Sequence, residues 1–194
     1  AQINIKKRPS FSILDFGGGD GAIATAAAET LIANGAERVE AWIVDYNATE
    51  RPSPNSRIKI RVAESISEVK LLSFDLVIAS AIIEHLPDAR ETLLALFDAV
   101  GPGGGFYART PSIVPFRTFV NRIRRTGPRI DIAFPGHLHD LGPKFWDYCL
   151  RDLGENRFKI INGSPAIPQT SFRKRFFRAL LSFAFKAPWH IFGN

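Results

Sequence analysis

The residues Gly17-Gly18-Gly19-Asp20-Gly21 stand between an apolar run at 11–16 and an alanine-rich stretch that starts at Ala22. Glycine at such a junction lets the main chain approach a ligand closely. The first turn of the following helix adds N–H groups without internal partners, a combination suited to nucleotide-like ligands. Asp45 closes a second apolar run, and a carboxylate there could accept hydrogen bonds from both hydroxyls of a ribose or simply cap a strand end. The spacing Gly17-x-Gly19-x-x-Ala22 with Asp45 also fits the loose dinucleotide pattern, so an NAD(P)-dependent oxidoreductase is one reading. His85 follows Glu84 after a fourth apolar run and is a candidate base near neutral pH, with a structural or cofactor-facing role as the alternative. His137 and His139 precede Asp140 in an irregular stretch, and His137 is the second candidate catalytic residue. A metal is one reading of that pair, but no further His or Cys cluster supports it, so hydrogen-bonded histidines are expected and no metal is assigned.

The elements that would position these residues follow from periodicity and punctuation. Strands are expected at 11–16, 39–44, 58–62, 74–79 and 106–108, and a sixth at 158–161. Helices are expected at 22–34, stopped by Gly35, at 89–100 behind an Asp88 cap, and at 143–153. The run Gly101-Pro102-Gly103-Gly104-Gly105 reads as a turn before the fifth strand. Strands alternating with helices predict an α/β fold with a doubly wound, mostly parallel sheet and helices on both faces.

Within that frame, Ile13-Leu14-Asp15-Phe16-Gly17-Gly18-Gly19-Asp20-Gly21 resembles the D-x-G-x-G-x-G signature of class I S-adenosylmethionine-dependent methyltransferases. Asp45 is similar to the family's acidic residue after strand two. Phe74-Asp75-Leu76-Val77-Ile78 resembles its fourth strand, Glu84-His85-Leu86 its E-H-L element, and Gly101-Pro102-Gly103-Gly104 its P-G-G turn. The resemblance covers roughly 11–110 and implies a Rossmann-like fold with S-adenosyl-L-methionine as cofactor. It implies that Gly17, Gly19 and Gly21, with Phe16 and Gly18 among them, lie against the cofactor, and that Asp15 organises the turn. It further implies that Asp45, with Tyr46 beside it, holds the ribose hydroxyls, that Glu64 is the nearest match to an adenine-contacting acid, and that Ser80 and Ala81 line the cleft. A helix-opening, solvated role is the alternative for Glu64.

Length and charge bound the rest. The 194 residues suit one domain over 1–194, with a cofactor core at 11–110, a substrate-covering insert and helix at 111–157 and a basic helix at 171–187. A lone Cys149 excludes an internal disulfide, Met is absent, and both termini are expected to be incomplete. Residues 1–100 hold 10 Lys/Arg against 14 Asp/Glu, whereas 101–194 hold 15 against 5 and twelve of the 16 Phe. Between 171 and 187, Ser171, Arg175, Arg178, Ser182 and Lys186 recur at helical spacing, while Phe172, Phe176, Phe177, Leu180, Leu181, Ala184 and Phe185 fill the remaining arc. That pattern suits two readings, packing of the Phe face on the sheet or in a homodimer, or peripheral contact with an anionic membrane. A seventh strand is expected at 189–192 or beyond the end of this sequence. No Asn/Asp-Pro-Pro-Tyr/Phe follows strand four, so the expected acceptor is a small molecule, a lipid-linked group or a glycan, methylated at oxygen. Nucleic acid is the weaker partner, and a non-catalytic membrane-surface or nucleic-acid-binding module is the remaining alternative. The expected setting is cytoplasmic, at the membrane surface or free of it.

Overall fold

The computed structural model describes residues 9–49, 53, 55–110, 138–139, 141–154, 157–161, 176–177, 180 and 184. Its β-strands are β1 (Ser10–Phe16), β2 (Arg38–Val44), β3 (Ile58–Ala63), β4 (Phe74–Ser80) and β5 (Val100–Arg109). Its α-helices are α1 (Ala22–Ala33), α2 (Ala89–Asp98) and α3 (Pro143–Asp152), and 3₁₀ turns cover Ile66–Val69 and Ile83–His85. The strands form one sheet in the order β3-β2-β1-β4-β5, every pair parallel. Parallel strands need crossovers, and α1 and α2 supply those between β1 and β2 and between β4 and β5.

Helix α1 buries Ala24, Ala28, Leu31 and Ile32, one stripe at helical spacing. That stripe packs with Phe11, Ile13, Val39, Ala41, Ile43, Ile58 and Ile78 on one face of the sheet. On α2 the Asp88 side chain accepts the Glu91 N–H as expected, and Ala89, Leu93, Leu96 and Phe97 are buried. The Phe106 ring meets Phe97 edge-on at 5.1 Å between centroids and Trp146 of α3 at 6.1 Å. Thr110 ties this side together, since its hydroxyl donates to the Leu141 carbonyl at 3.0 Å and accepts the Trp146 Nε1–H at 3.1 Å. Cys149 is buried on α3, and desolvation pushes its thiol up to about 11, so it packs as a small apolar group rather than reacting as a thiolate.

Two sequence expectations change. The glycine run at 101–105 is not a turn before β5 but part of it, because Phe74 pairs with Val100 and Leu76 next pairs with Gly105 across a register shift. A Cβ on Gly104 would stand 2.9 Å from both the Gly101 and Phe74 carbonyl oxygens, so only glycine lets the two backbones close up there. Helix α2 accordingly ends at Asp98. Residues 158–161 form no strand, and Ile160 and Ile161 are exposed. By contacts the chain divides into two compact units, Ala1–Arg157 and Phe158–Asn194. Of the helix expected at 171–187, the described residues 176, 177, 180 and 184 are helical, and the strand expected at 189–192 lies outside the described residues.

Candidate active site

The strand order reverses beside β1, which has β2 on one side and β4 on the other. In a doubly wound sheet the crevice outside the carboxyl ends at that reversal receives the ligand. Phe16 pairs with Val44 and with Ala79, so the chain leaving β1, β2 and β4 carries Gly17, Asp45 and Ser80 to the same edge.

The glycine turn is fastened to β2. Gly17 N–H donates to the Val44 carbonyl at 2.8 Å and Gly19 N–H to Asp45 Oδ2 at 2.9 Å, while Asn47 N–H donates to Asp45 Oδ1 at 2.9 Å. Each carboxylate oxygen has two acceptor sites, so Asp45 holds the turn and keeps one further site on each oxygen, enough for two hydroxyls. Gly19 and Gly21 differ in what they face. Gly21 has φ +74°, and a Cβ there would fall 2.3 Å from Ile43 Cδ1, so it is glycine because β2 lies against it. Gly19 has φ +54° and no atom within 4 Å of the place a Cβ would take, so its backbone lines open space. Gly17 backs onto Ile82 and Gly18 onto the Asp15 carboxyl group.

Asp15 is 1% exposed, and its Oδ2 accepts the Ala24 N–H at 3.1 Å. Because the residue before α1 is Gly21, which has no side chain to cap with, Asp15 reaches across from β1 to satisfy a first-turn donor. Burial pushes the Asp15 carboxyl up to about 6; the Ala24 N–H opposes that rise and the Asp45 charge adds to it. Ser80 ends β4 half-buried, and the exposed Ala81 follows with φ 58°. A left-handed alanine costs about 1–2 kcal/mol, and the Ala81 N–H bond to the Arg109 carbonyl at 2.8 Å helps hold it at the edge of the crevice.

Tyr46, next to Asp45, is 84% exposed. Glu64 is exposed at the end of β3, beside Asp45, whose N–H donates to the Ala63 carbonyl at 3.1 Å. The 3₁₀ turn after β3 is opened by Ser65, not by Glu64, and Glu68 Oε1 accepts both the Glu64 and Ser65 N–H groups at 2.9 Å. This capping box was legible as Ser65-x-x-Glu68. His85 is exposed on the turn Ile83–His85, whereas Glu84 is buried and its Oε2 has no hydrogen-bond partner among the described residues. The Glu84 carbonyl accepts the Leu138 and His139 N–H groups, and His139 Nε2 lies 2.9 Å from the Leu86 carbonyl oxygen. His139 thus meets the E-H-L turn; His137 and Asp140 lie outside the described residues. Among the described residues no group of three or more His, Cys, Asp or Glu is placed to hold a metal ion. Sequence reasoning passed over Asn47, which an Asp-x-Asn turn would have suggested, and over Ile82 and Ile43, which meet the glycines only through tertiary contact.

A family model described as "Methyltransferase domain" matches residues 4–161. The chain belongs to that methyltransferase family. Among solved structures, an O-methyltransferase family protein from Burkholderia thailandensis is similar at TM-score 0.52 and 15% identity, over 86% of this chain and 50% of that one. A conjectured methyltransferase from Bacillus halodurans C-125 gives TM-score 0.49 and 14% identity, over 78% and 68%. Human N-acetylserotonin methyltransferase in complex with SAM gives TM-score 0.41 and 19% identity, over 59% and 36%. This chain therefore spans half of the Burkholderia protein and little more than a third of the human one. No curated protein matches the sequence. The methyltransferase has the Rossmann-like class I fold, and its cofactor is S-adenosylmethionine, so the nicotinamide reading gives way. The residues fit that cofactor: open backbone at Gly19, two spare acceptor sites on Asp45, and the acidic groups Asp15, Asp20 and Asp45 about the glycine turn, suited to a sulfonium and an ammonium charge.

Proposed function

We propose that this methyltransferase methylates an oxygen of a small-molecule, lipid-linked or glycan acceptor, with the cofactor held over Gly19 and Asp45. The observation that supports the cofactor placement is the open side of Gly19 beside a carboxylate with unused acceptor sites. Asp45 receives the ribose hydroxyls, the exposed Tyr46 ring offers a flat surface next to them, and Glu64 stands at the neighbouring strand end to meet the adenine amino group. Ser80 and Ala81 form the opposite lip. When bound, the cofactor supplies an already activated methyl group, so the chain's task is mainly to orient donor and acceptor in line. A hydroxyl acceptor also gives up a proton, and the exposed His85, on the Ile83–His85 turn that follows Ala81 and Ile82, is the imidazole at this edge to receive it. Support for an oxygen acceptor comes from the chain leaving β4, Ser80-Ala81-Ile82-Ile83, which lacks the Asn/Asp-Pro-Pro-Tyr/Phe grip for planar nitrogens.

Calorimetric titration with S-adenosylmethionine, S-adenosylhomocysteine and NAD tests the site. The first two bind, and Asp45→Ala and Gly19→Ala each weaken them about tenfold or more, a loss of about 1.4 kcal/mol. Undiminished affinity in folded variants refutes the assignment. Transfer of labelled methyl to hydroxyl acceptors in lipid and glycan extracts, with the rate lowered in His85→Gln while S-adenosylmethionine affinity is kept, tests acceptor and base.

A further inference from the structure

We infer that Arg109 binds an anionic group, a carboxylate or a phosphate, carried by the methyl acceptor. The inference rests on the cofactor placement proposed above and narrows the acceptor to an anionic compound. In the register of β5 against β4, Tyr107 stands beside Ile78 and Arg109 beside Ser80. Side chains alternate along a strand, so Tyr107 and Arg109 lie on the sheet face that Ile78 shares with α1, while Phe106 turns to α2 and α3 on the other. Tyr107 is 49% exposed on that face. Arg109 is half-buried there and makes no ion pair among the described residues. A guanidinium drawn out of water favours a charged partner, and its planar fork fits two oxygens of a carboxylate or a phosphate.

Two features of this edge assign that partner to the acceptor. The residues given to the cofactor, Gly19, Asp45 and Glu64, follow β1, β2 and β3, so the ends of β4 and β5 remain for the acceptor. With neighbouring strands about 4.8 Å apart, Arg109 stands one strand from Ser80 and two from the glycine turn. The second feature is strain. Ala81 is the one non-glycine residue with positive φ among the described residues, and its N–H is held by the Arg109 carbonyl. Such strain persists where the surrounding structure enforces it, and it gathers at ligand sites. Glu84, the acid on the turn that follows, is buried with no partner for its Oε2 among the described residues, so it does not neutralise Arg109. Charge is thus divided across the crevice, with the carboxylates of Asp15, Asp20 and Asp45 on the side of a cationic cofactor and a guanidinium on the side of the acceptor.

The test is calorimetric titration of inorganic phosphate, and separately of acetate, into the full chain saturated with S-adenosylhomocysteine, whose own carboxylate is then already in place. Millimolar binding of at least one of them is expected. It weakens about tenfold or more in Arg109→Gln, and by less in Arg109→Lys, which keeps the charge and loses the fork. Affinity for S-adenosylhomocysteine stays at the wild-type level in both variants. Labelled methyl product formed from extracts is retained on an anion exchanger, and Arg109→Gln raises the acceptor KM with kcat little changed. Absence of anion binding by the wild type overturns the proposal, as does binding that Arg109→Gln leaves intact, or a labelled product that passes through the exchanger. Weakened S-adenosylhomocysteine binding in Arg109→Gln also overturns it, because the guanidinium would then serve the cofactor's carboxylate. Failure of the wild type to bind S-adenosylhomocysteine refutes the cofactor placement instead, and phosphate binding that Arg109→Gln removes still supports the anion site.

Discussion

Asp15 shows how much a single carboxyl group can carry. Its side chain is buried between β1 and the first turn of α1, where it accepts the Ala24 N–H and its proton affinity rises to about 6 from 3.8. The folded chain therefore binds this proton more tightly than the unfolded chain. Stability contributed by the protonated group is complete below about pH 4 and is lost as pH rises through about 6, a fall of about 3 kcal/mol across that window. Urea unfolding at pH 4.5 and pH 7 is expected to show this component in the wild type and to lose it in Asp15→Asn, which keeps an oxygen for Ala24. An unchanged pH slope in that variant would place the titration elsewhere.

At the scale of elements, the join between β4 and β5 is the informative one. Helix α2 leads through Ala99 into a strand that opens Val100-Gly101-Pro102-Gly103-Gly104, and the register shift after Phe74 brings the Gly104 backbone against the Phe74 and Asp75 carbonyl oxygens. A methyl group there must displace a backbone, not a flexible side chain. Gly104→Ala is expected to lower stability by about 1–3 kcal/mol in denaturant unfolding, with the m-value unchanged. The damage should extend to Phe106, whose ring joins α2 to α3, and so to the near-ultraviolet signal of Trp146. On the other side of the sheet, α1 depends on Asp15 and Asp20 for its first-turn acceptors, since Gly21 has no side chain. The same substitution of glycine for a capping residue that leaves α1 without a cap of its own allows β2 to approach at Ile43.

For the molecule as a whole, the edge proposed for the cofactor draws on residues separated by long stretches of chain, so ligand binding there would be coupled to folding. Gly19 bonds Asp45 and Ala81 bonds Arg109, and the crevice exists only when β1, β2, β4 and β5 are all in place. A ligand that binds only the folded state stabilises it by about 2.7 kcal/mol at a concentration of 100 dissociation constants. For a domain of this size that corresponds to a rise of about 5 °C or more in thermal midpoint with S-adenosylhomocysteine, and none in Asp45→Ala. A shift that persists in Asp45→Ala would move the site away from this edge. Charge is divided along the same lines as structure, balanced through residue 157 and wholly basic afterwards.

The sequence by itself determined the parts whose physics is local. A glycine run between a strand and a helix, an aspartate ending the next strand and an Asp88 cap are written in neighbouring residues, because backbone sterics and capping act over a few positions. From these came the parallel sheet and the glycine turn beside Asp45, together with the family resemblance. Tertiary structure decided the parts that depend on who lies opposite. Ser12 and Asp75 bond across a separation of 63 residues, Gly21 faces Ile43, and the glycines at 101–105 join β5 because β4 is there to receive them. Periodicity records which residues are apolar, whereas burial depends on what the rest of the chain brings against them.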